Sequence, residues 1–298
     1  MNLMKNRKWY YLFSLLFIVP SVVGLSLWQL KPSIDFNGGS RLELRGIEDS
    51  FNAESFIEEN ELAGAVVQKI GDDGLSIRFA EINEEKHRKV TENLPKYFGK
   101  NVLEVGFETV GPTISNEITR QAFLAVFFAS LIIIFYIGYS FRRVPKPANS
   151  WEFGITAIIA LAHDTIIVLG VFSFLGKFLN VEVDPLFITG LLTVIGFSVH
   201  DTIVIFDRIR ENLIKRGASD FEETVNLSLF EMLPRTINTS FLVWSILLIL
   251  FLFGGITLKY FVLTLVVGIL AGSYSSLFVA SSLLITWQEI KNKKSRPR

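Results

Sequence analysis

The chain has 298 residues, 50% of them hydrophobic, a formal net charge of zero and no cysteine. Without cysteine it has neither disulfide bridges nor thiolate metal sites. Because only three histidines are present, a histidine-rich metal site is not expected either.

Apolar residues gather in six stretches, each long enough to cross a bilayer, which takes about 20 residues. They cover residues 9–28, 122–141, 154–176, 185–206, 237–255 and 260–287. Lys5, Arg7 and Lys8 precede the first stretch, as basic residues precede a signal peptide. Its apolar run is longer than that of a signal peptide and no small-residue cleavage site follows, so we expect an uncleaved anchor.

Lysine and arginine in the short loops predict the orientation of the membrane helices, because such residues stay on the cytosolic side. They are concentrated in residues 1–8, in the loops 142–153 and 207–236, and in the tail 288–298. We therefore expect both termini in the cytosol and residues 29–121 outside the membrane, in the periplasm.

The external segment 29–121 predicts a small α+β domain. Its pattern is strand, helix, strand, strand, helix, strand, at residues 41–45, from 52 onward, 65–70, 75–79, 83–93 and 102–108. This order is the split βαβ pattern of ferredoxin-like folds. Asn52 is a plausible N-cap, the Gly-Asp-Asp-Gly run at 71–74 predicts a hairpin turn, and Pro95 is expected to end the second helix. The predicted fold is an all-α membrane bundle of six helices with a small periplasmic ferredoxin-like domain.

Two charged residues lie where a membrane helix rarely carries charge. Asp201 is inside the fourth stretch, in GFSVHDTIVIFDRIREN, and Arg235 opens the fifth, in LPRTINTS. A charge at the membrane centre costs about 2.5–3.5 kcal/mol, so such residues usually serve a function. Ser198, one helical turn before Asp201, is placed to donate a hydrogen bond to its carboxyl group. The two charges suit a proton path, whereas a permanent ion pair, or an arginine that reaches the lipid head groups, is the structural alternative.

Further polar residues lie close to this site in the sequence. His163 and Asp164 occupy the middle of the third stretch, where adjacent side chains point about 100° apart and do not readily face the same partner. Asp164 is the better candidate for a second polar site, and His200, next to Asp201, is interpreted as a polar packing residue. Intramembrane aspartyl proteases also use two aspartates, but FSVHD around Asp201 lacks their GxGD signature, so we expect no enzymatic activity.

Small residues recur every four positions in the sixth stretch, at Gly268, Gly272, Ser276 and Ala280. This spacing stacks them on one helix face and lets another backbone approach closely. We favour tight packing within the bundle over a sliding or subunit-contacting face.

The loop 207–236 contains apolar residues at four-residue spacing, namely Phe221, Val225 and Leu229. They predict an amphipathic helix along the membrane surface, although a plain connecting helix has the same pattern. Pro234, directly before Arg235, is expected to shift the start of the fifth membrane helix.

Four sequence runs resemble the SecD/SecF family of bacterial protein-export membrane proteins, within the resistance-nodulation-division superfamily. They are DFNGGS after the first stretch, ALAHDTIIVLGVFS in the third, and the two runs around Asp201 and Arg235. The resemblance implies that Asp201 carries a proton and that Arg235 is its basic partner. It places Asp164 in the third-helix motif of the family. It also implies a sharp backbone turn at the glycine pair Gly38 and Gly39.

The resemblance further implies that the chain works with SecD and the SecYEG channel, using the proton-motive force to help exported polypeptides across the membrane after the SecA step. A YidC-type insertase and membrane lipids are further expected partners, and nucleic acid is not. Protons, or alternatively sodium ions, are the expected coupling ions, with no cofactor.

One departure from the family pattern is His200, which stands where related chains often have asparagine and adds a group that can titrate beside Asp201. Two other functions stay open at this point. One is a half-transporter of the same superfamily for a small molecule or lipid, and the other is a structural scaffold.

Overall fold

The structure is a computed structural model that describes residues 3–47, 51–70, 73–216 and 220–295. The chain divides into two compact units. The first comprises Met1–Leu30, Ala125–Val181 and Leu186–Arg298, and the second comprises Lys31–Leu124 with Glu182–Pro185. The second unit is thus the predicted external domain together with a short segment from the connection between the third and fourth apolar stretches.

In chain order, the helices are α1 (Arg7–Trp28), α2 (Ile34–Asn37), α3 (Ala53–Glu59), α4 (Glu84–Phe98), α5 (Pro112–Ser140), α6 (Ser150–Leu179), α7 (Pro185–Arg216), α8 (Phe221–Phe253), α9 (Lys259–Tyr274) and α10 (Ser281–Ser295). A π-helical turn, Ser275–Ala280, joins α9 to α10, and the short 3₁₀ turns Met4–Asn6 and Ile256–Leu258 precede α1 and α9. The strands are β1 (Gly39–Arg45), β2 (Val66–Ile70), β3 (Gly74–Phe79) and β4 (Leu103–Val110).

Within the described residues, six helical segments are long and apolar enough to cross a membrane: α1, α5, α6, α7, α8 and the run from α9 through α10. Together with the four-stranded antiparallel sheet, they confirm the predicted fold class. The helices extend beyond the apolar stretches, because backbone hydrogen bonding continues through polar residues until a cap or a turn ends it. At the start of α6, for example, Asn149 and Glu152 form a capping box.

Helix α8 contains both the predicted surface helix and the fifth membrane helix as one uninterrupted helix with Pro234 inside it. The expectation that Pro234 shifts the start of the fifth membrane helix was therefore wrong. Val225 and Leu229 are buried in the same apolar cluster as Phe206 and Ile209, so this face packs inside the bundle and does not lie along the membrane surface. Burial of Val225, Leu229 and Met232, all before the proline, outweighs the loss of one helix hydrogen bond.

An aromatic cluster fixes one end of the helical unit. Phe141, Phe153 and Phe206 are buried, with ring centroids between 5.0 and 5.6 Å apart. They come from the end of α5, the start of α6 and the middle of α7, so this contact sets the spacing of three membrane helices.

The external unit has the predicted strand–helix–strand–strand–helix–strand order. Its sheet has the strand order β2-β3-β1-β4 with antiparallel pairing throughout, and β1 lies between β3 and β4. Asn52 caps α3 by accepting a hydrogen bond from the Ser55 backbone N–H at 3.0 Å, as predicted. The predicted turn at 71–74 lies partly outside the described residues.

Helix α4 does not end before Pro95, as the sequence predicted, but continues to Phe98. Phe98 is fully buried and packs edge-on against Phe56 with ring centroids 4.9 Å apart. This contact holds the last helical turn in place despite the missing N–H of the proline.

Candidate functional site

Asp201 lies on α7 in a half-buried position. In the described part of the chain, its Oδ2 atom is buried without a hydrogen-bond partner. A buried carboxylate oxygen without a donor is costly when it is charged, and a proton on that oxygen removes the charge. This oxygen therefore has no hydrogen bond that would hold the carboxyl group in its ionised form.

Arg235 lies on α8 with an exposed side chain. Among the described residues, no ion pair joins it to Asp201, so the permanent ion pair considered as a structural alternative is absent from this conformation. The backbone carbonyl of Arg235 accepts a hydrogen bond from Thr239 Oγ1 at 2.9 Å, which is an ordinary helix contact.

Asp164 on α6 has a very different environment, because it is fully buried and surrounded by donors. Its Oδ2 atom accepts hydrogen bonds from Ser198 Oγ at 2.5 Å and from Ser275 Oγ at 2.7 Å. Its Oδ1 atom lies 2.9 Å from His163 Nδ1. Ser198 therefore donates to Asp164 and not, as the sequence predicted, to Asp201.

The hydrogen bonds of Asp164 join three membrane-spanning segments. Ser198 belongs to α7 and Ser275 begins the π-helical turn, so one carboxylate on α6 holds both. Turns of this kind often occur at functional sites, because they break the regular helix ladder. His163 is buried beside Asp164, and its Nε2 atom has no partner among the described residues. The two adjacent side chains contact each other directly, a possibility that the sequence prediction about a shared partner did not consider.

The stripe of small residues lies against α7. A Cβ atom on Gly268 would come within 2.2 Å of Val194 Cγ2, and one on Gly272 within 3.1 Å of Ser198 Cβ. Ser276 Oγ lies 2.8 Å from Thr202 Oγ1. The stripe thus packs inside the bundle, against the helix that carries Asp201, and Ala280 is also buried.

The remaining predicted residues, His200, Gly38 and Gly39, take no part in the hydrogen bonds of Asp164 described above. His200 is exposed on α7. In the external unit, Gly38 and Gly39 both have positive φ, at 75° and 124°, and a Cβ on Gly39 would lie 2.7 Å from the Phe79 carbonyl oxygen. Only glycine adopts such a conformation easily, so the pair forms a sharp turn at the start of β1.

Sequence reasoning missed Ser275 and the π-helical turn. The signal available was the run GSYSS at 272–276, a cluster of small and hydroxyl residues in an otherwise apolar stretch. Such residues mark polar contacts between membrane helices. In the described residues, no group of three or more histidine or acidic side chains is arranged to hold a metal ion.

Comparison with known proteins gives consistent matches along the chain. Residues 90–290 match the family model "Protein export membrane protein SecD/SecF, C-terminal". Protein translocase subunit SecF of Thermobaculum terrenum is 43% identical, with 96% of this chain and 94% of the relative covered. The same subunit of Anaerolinea thermophila is 38% identical, with 97% and 94% covered.

A crystal structure of SecDF, described as a translocon-associated membrane protein, from Thermus thermophilus matches with a TM-score of 0.84 and 31% identity. The match covers 97% of this chain and 39% of that one, so the chain spans well under half of the SecDF polypeptide. The translocase relatives and the six apolar helices indicate a multi-pass inner-membrane subunit of the Sec protein-export system. The chain belongs to the SecD/SecF family of protein-export membrane proteins.

Proposed function

We propose that this chain uses the proton-motive force, together with a SecD subunit, to assist the movement of exported polypeptides through the SecYEG channel. Asp201 carries the proton, and the chain has no enzymatic activity of its own. The observation that supports this proposal most directly is the buried, unpartnered Oδ2 atom of Asp201 on a membrane-spanning helix.

The proposed cycle has two states of the carboxyl group. In the first, Asp201 is protonated and forms no ion pair with Arg235, and no ion pair joins them among the described residues in this conformation. In the second, Asp201 is ionised and the basic side chain of Arg235 compensates its charge. Each state favours a different arrangement of α7 and α8, so loading and release of a proton move one helix against the other.

The energy available per proton is modest. Moving one charge across 100 mV releases about 2.3 kcal/mol, which corresponds to about a fiftyfold shift of a two-state equilibrium. This is enough to bias a conformational change in one direction. Sodium is the alternative coupling ion, and replacing a sodium gradient with a proton gradient in the export assay separates the two.

The proposed topology has both termini in the cytosol and the external domain in the periplasm, from the distribution of lysine and arginine. The chain has no cysteine, so single cysteines at positions in 142–153 and 84–98 report their side of the membrane without background labelling. The SecDF relative is described as translocon-associated, which supports SecYEG as a partner here. SecA and a YidC-type insertase are further proposed partners, through the same assembly.

The proposal is tested by export of a secreted reporter in cells depleted of this chain and complemented with wild type, Asp201→Asn or Arg235→Met. Both variants should accumulate in the membrane yet lose the proton-dependent part of export by about tenfold or more. Asp207→Asn is a matched control, because Asp207 lies on the same helix, is exposed, and forms an ion pair with Arg210 three residues on. Full proton-dependent export by Asp201→Asn would refute the relay.

A further inference from the structure

The segment Glu182–Pro185, in the connection between α6 and the main part of α7, belongs to the external unit, although both helices belong to the membrane bundle. Val183 in this connection forms a parallel β-bridge with Pro32. The Val183 backbone N–H donates to the Lys31 carbonyl at 2.8 Å, and the Ser33 N–H donates to the Val183 carbonyl at 2.9 Å. The side chain of Val183 is buried as well. The backbone of the connection is therefore fixed to the segment that leads into β1.

An ion pair adds a second attachment. Arg78 Nη1, on β3 in the sheet, lies 2.9 Å from Glu182 Oε1 and also donates to the Pro32 carbonyl at 2.9 Å. The two charged side chains are only 21% and 17% exposed, so water screens them little. The guanidinium of Arg78 thus contacts both segments of the bridge and attaches them to β3, an inner strand of the sheet. We name this assembly, Arg78 with Lys31–Ser33 and Glu182–Val183, the connector clamp.

The charges around the clamp favour the ionised glutamate, whereas its burial opposes it. Burial raises the pKa of the Glu182 carboxyl, while Arg78, Lys31 and Arg41 lower it and Asp35 raises it. Burial also lowers the pKa of Lys31, against the effect of Glu182. Removing one partner of such a pair leaves a buried charge without compensation, which is more disruptive than never having had the pair. Loss of either side chain is therefore expected to weaken the clamp.

The connector clamp lies directly before the helix that carries Asp201. Helix α7 begins at Pro185 and continues without interruption through Asp201 to Arg216. At 1.5 Å per residue, the sixteen residues from Pro185 to Asp201 span about 24 Å of rigid helix. We therefore expect a displacement of Asp201 along the helix axis to move Glu182 and Val183 by nearly the same distance.

We propose that the connector clamp transmits the movement of α7 to the external domain and so couples proton passage to the work of export. This inference rests on the proposed function, in which α7 moves when Asp201 changes its protonation. Arg78 and Glu182 act as positioning residues, because neither carries the proton. Without the clamp, protons still pass through the membrane unit, but the external domain no longer follows.

The experiment measures two quantities for each variant of the full chain in its assembled complex: proton flux across inside-out membrane vesicles and export of a secreted reporter. For Arg78→Met, we expect export to fall about fivefold or more while proton flux stays within about twofold of wild type. Arg88→Met is the matched control, since Arg88 is an exposed arginine on α4, and both of its readouts should stay unchanged. Asp201→Asn should lose both readouts.

A second variant separates transmission from simple stabilisation. Two glycines inserted between Asp184 and Pro185 leave the ion pair and the β-bridge in place but make the segment before α7 longer and more flexible. We call this variant the slack insertion. We expect the same loss of export with retained proton flux. The same insertion between Gly99 and Lys100, in the turn after α4, is the control and should affect neither readout. Exchanging the charges, with Arg78→Glu combined with Glu182→Arg, should recover export above the level of either single change.

The outcomes distinguish the two proposals. If Asp201→Asn loses export but Arg78→Met and the slack insertion both keep it, the connector clamp does not transmit force and only this inference fails. If proton flux falls together with export in the slack insertion, the segment merely stabilises the bundle and the inference fails too. If Asp201→Asn keeps both proton flux and export, the proton relay itself is wrong.

Discussion

Asp164 and Asp201 are two aspartates in neighbouring membrane helices with opposite surroundings. Asp164 is fully buried and receives two serine hydroxyl hydrogen bonds as well as a contact from His163. Asp201 is only half-buried, and its inner oxygen has no donor among the described residues. Burial is therefore a poor guide to function in this bundle. The number of fixed donors separates a carboxylate that holds helices together from one that is free to change its protonation.

The largest expected difference between the two sites concerns activity. Asp201→Asn should remove the proton-dependent part of export while changing the free energy of unfolding by less than about 0.5 kcal/mol, because no described contact of the lost oxygen exists to be broken. Thermal unfolding of the detergent-solubilised protein, followed beside the export assay, checks both parts. A large loss of stability would mean that Asp201 is structural, like Asp164.

The tight contact between Gly268 and Val194 should be sensitive to substitution. Gly268→Ala places a methyl group within 2.2 Å of Val194 Cγ2, which forces α7 and α9 apart and should cost about 1–3 kcal/mol of unfolding free energy. The measurement is the thermal unfolding midpoint. Gly196→Ala on α7 is the matched control, because a Cβ there meets nothing within 4 Å and alanine favours the helix. Equal midpoints for the two variants would contradict the packing argument.

Asp164→Asn should destabilise the bundle without specifically uncoupling it. An amide replaces one acceptor oxygen with an NH₂ donor, which faces either the two serine hydroxyls or His163 Nδ1, so the contacts of this carboxylate are perturbed at a cost of about 1–3 kcal/mol. Export per folded molecule should fall much less than for Asp201→Asn. Quantifying both export and membrane level separates these effects. A complete loss of export at a normal membrane level would place Asp164 in the relay itself.

Ser275→Ala removes one of these hydrogen bonds and should cost less, about 0.6–1.7 kcal/mol, as is typical between membrane helices. The thermal unfolding midpoint again reports the change. Ser281→Ala is a stringent control, because the Ser281 hydroxyl is equally buried but has no partner in the described residues. A greater loss for Ser281→Ala than for Ser275→Ala would show that burial, and not the hydrogen bond, matters at these positions.

The smallest expected effect concerns a carboxylate outside the membrane. Burial raises the pKa of Glu182, so the folded protein binds its proton more readily than the unfolded chain. This contribution to stability is fully present below the unfolded value and is lost as the pH rises through the folded pKa. The unfolding midpoint of wild type relative to Glu182→Gln should therefore fall as the pH rises from about 4 to 7. A difference that grows in favour of wild type over this range would mean that the ion pair outweighs burial.

Much of the fold is predictable from the sequence, because each signal is local. The six apolar stretches and the alternating strands of the external domain depend on residues close together in the chain, and the structure has both. The errors occur where a distant contact decides. Helix α4 passes Pro95 because Phe98 is buried, and α8 passes Pro234 because Val225 and Leu229 are buried on the bundle side.

The candidate site likewise has features that the sequence predicts and features that only the packing of distant residues decides. The positions of Asp201 and Arg235 in membrane helices follow directly from their sequence runs. The choice of Ser198 between two carboxylates does not, since the serine lies one turn from Asp201 on its own helix, and only the packing of α6 against α7 brings Asp164 closer. The π-helical turn at Ser275–Ala280 likewise depends on contacts with other helices, and its residues alone do not specify it.

That turn also has a geometric consequence for the last membrane segment. In an α-helix, positions four residues apart advance by about 40° beyond a full circle, so a stripe at this spacing gradually rotates around the axis. A π-helical turn closes its hydrogen bonds over five residues and holds more residues per circle, so it rotates the stripe in the opposite sense. Gly268 and Gly272 come before the turn, and Ser276 and Ala280 lie within it. The turn thus compensates for the rotation of the stripe and keeps Ser276 and Ala280 on the same side of the segment as Gly268 and Gly272.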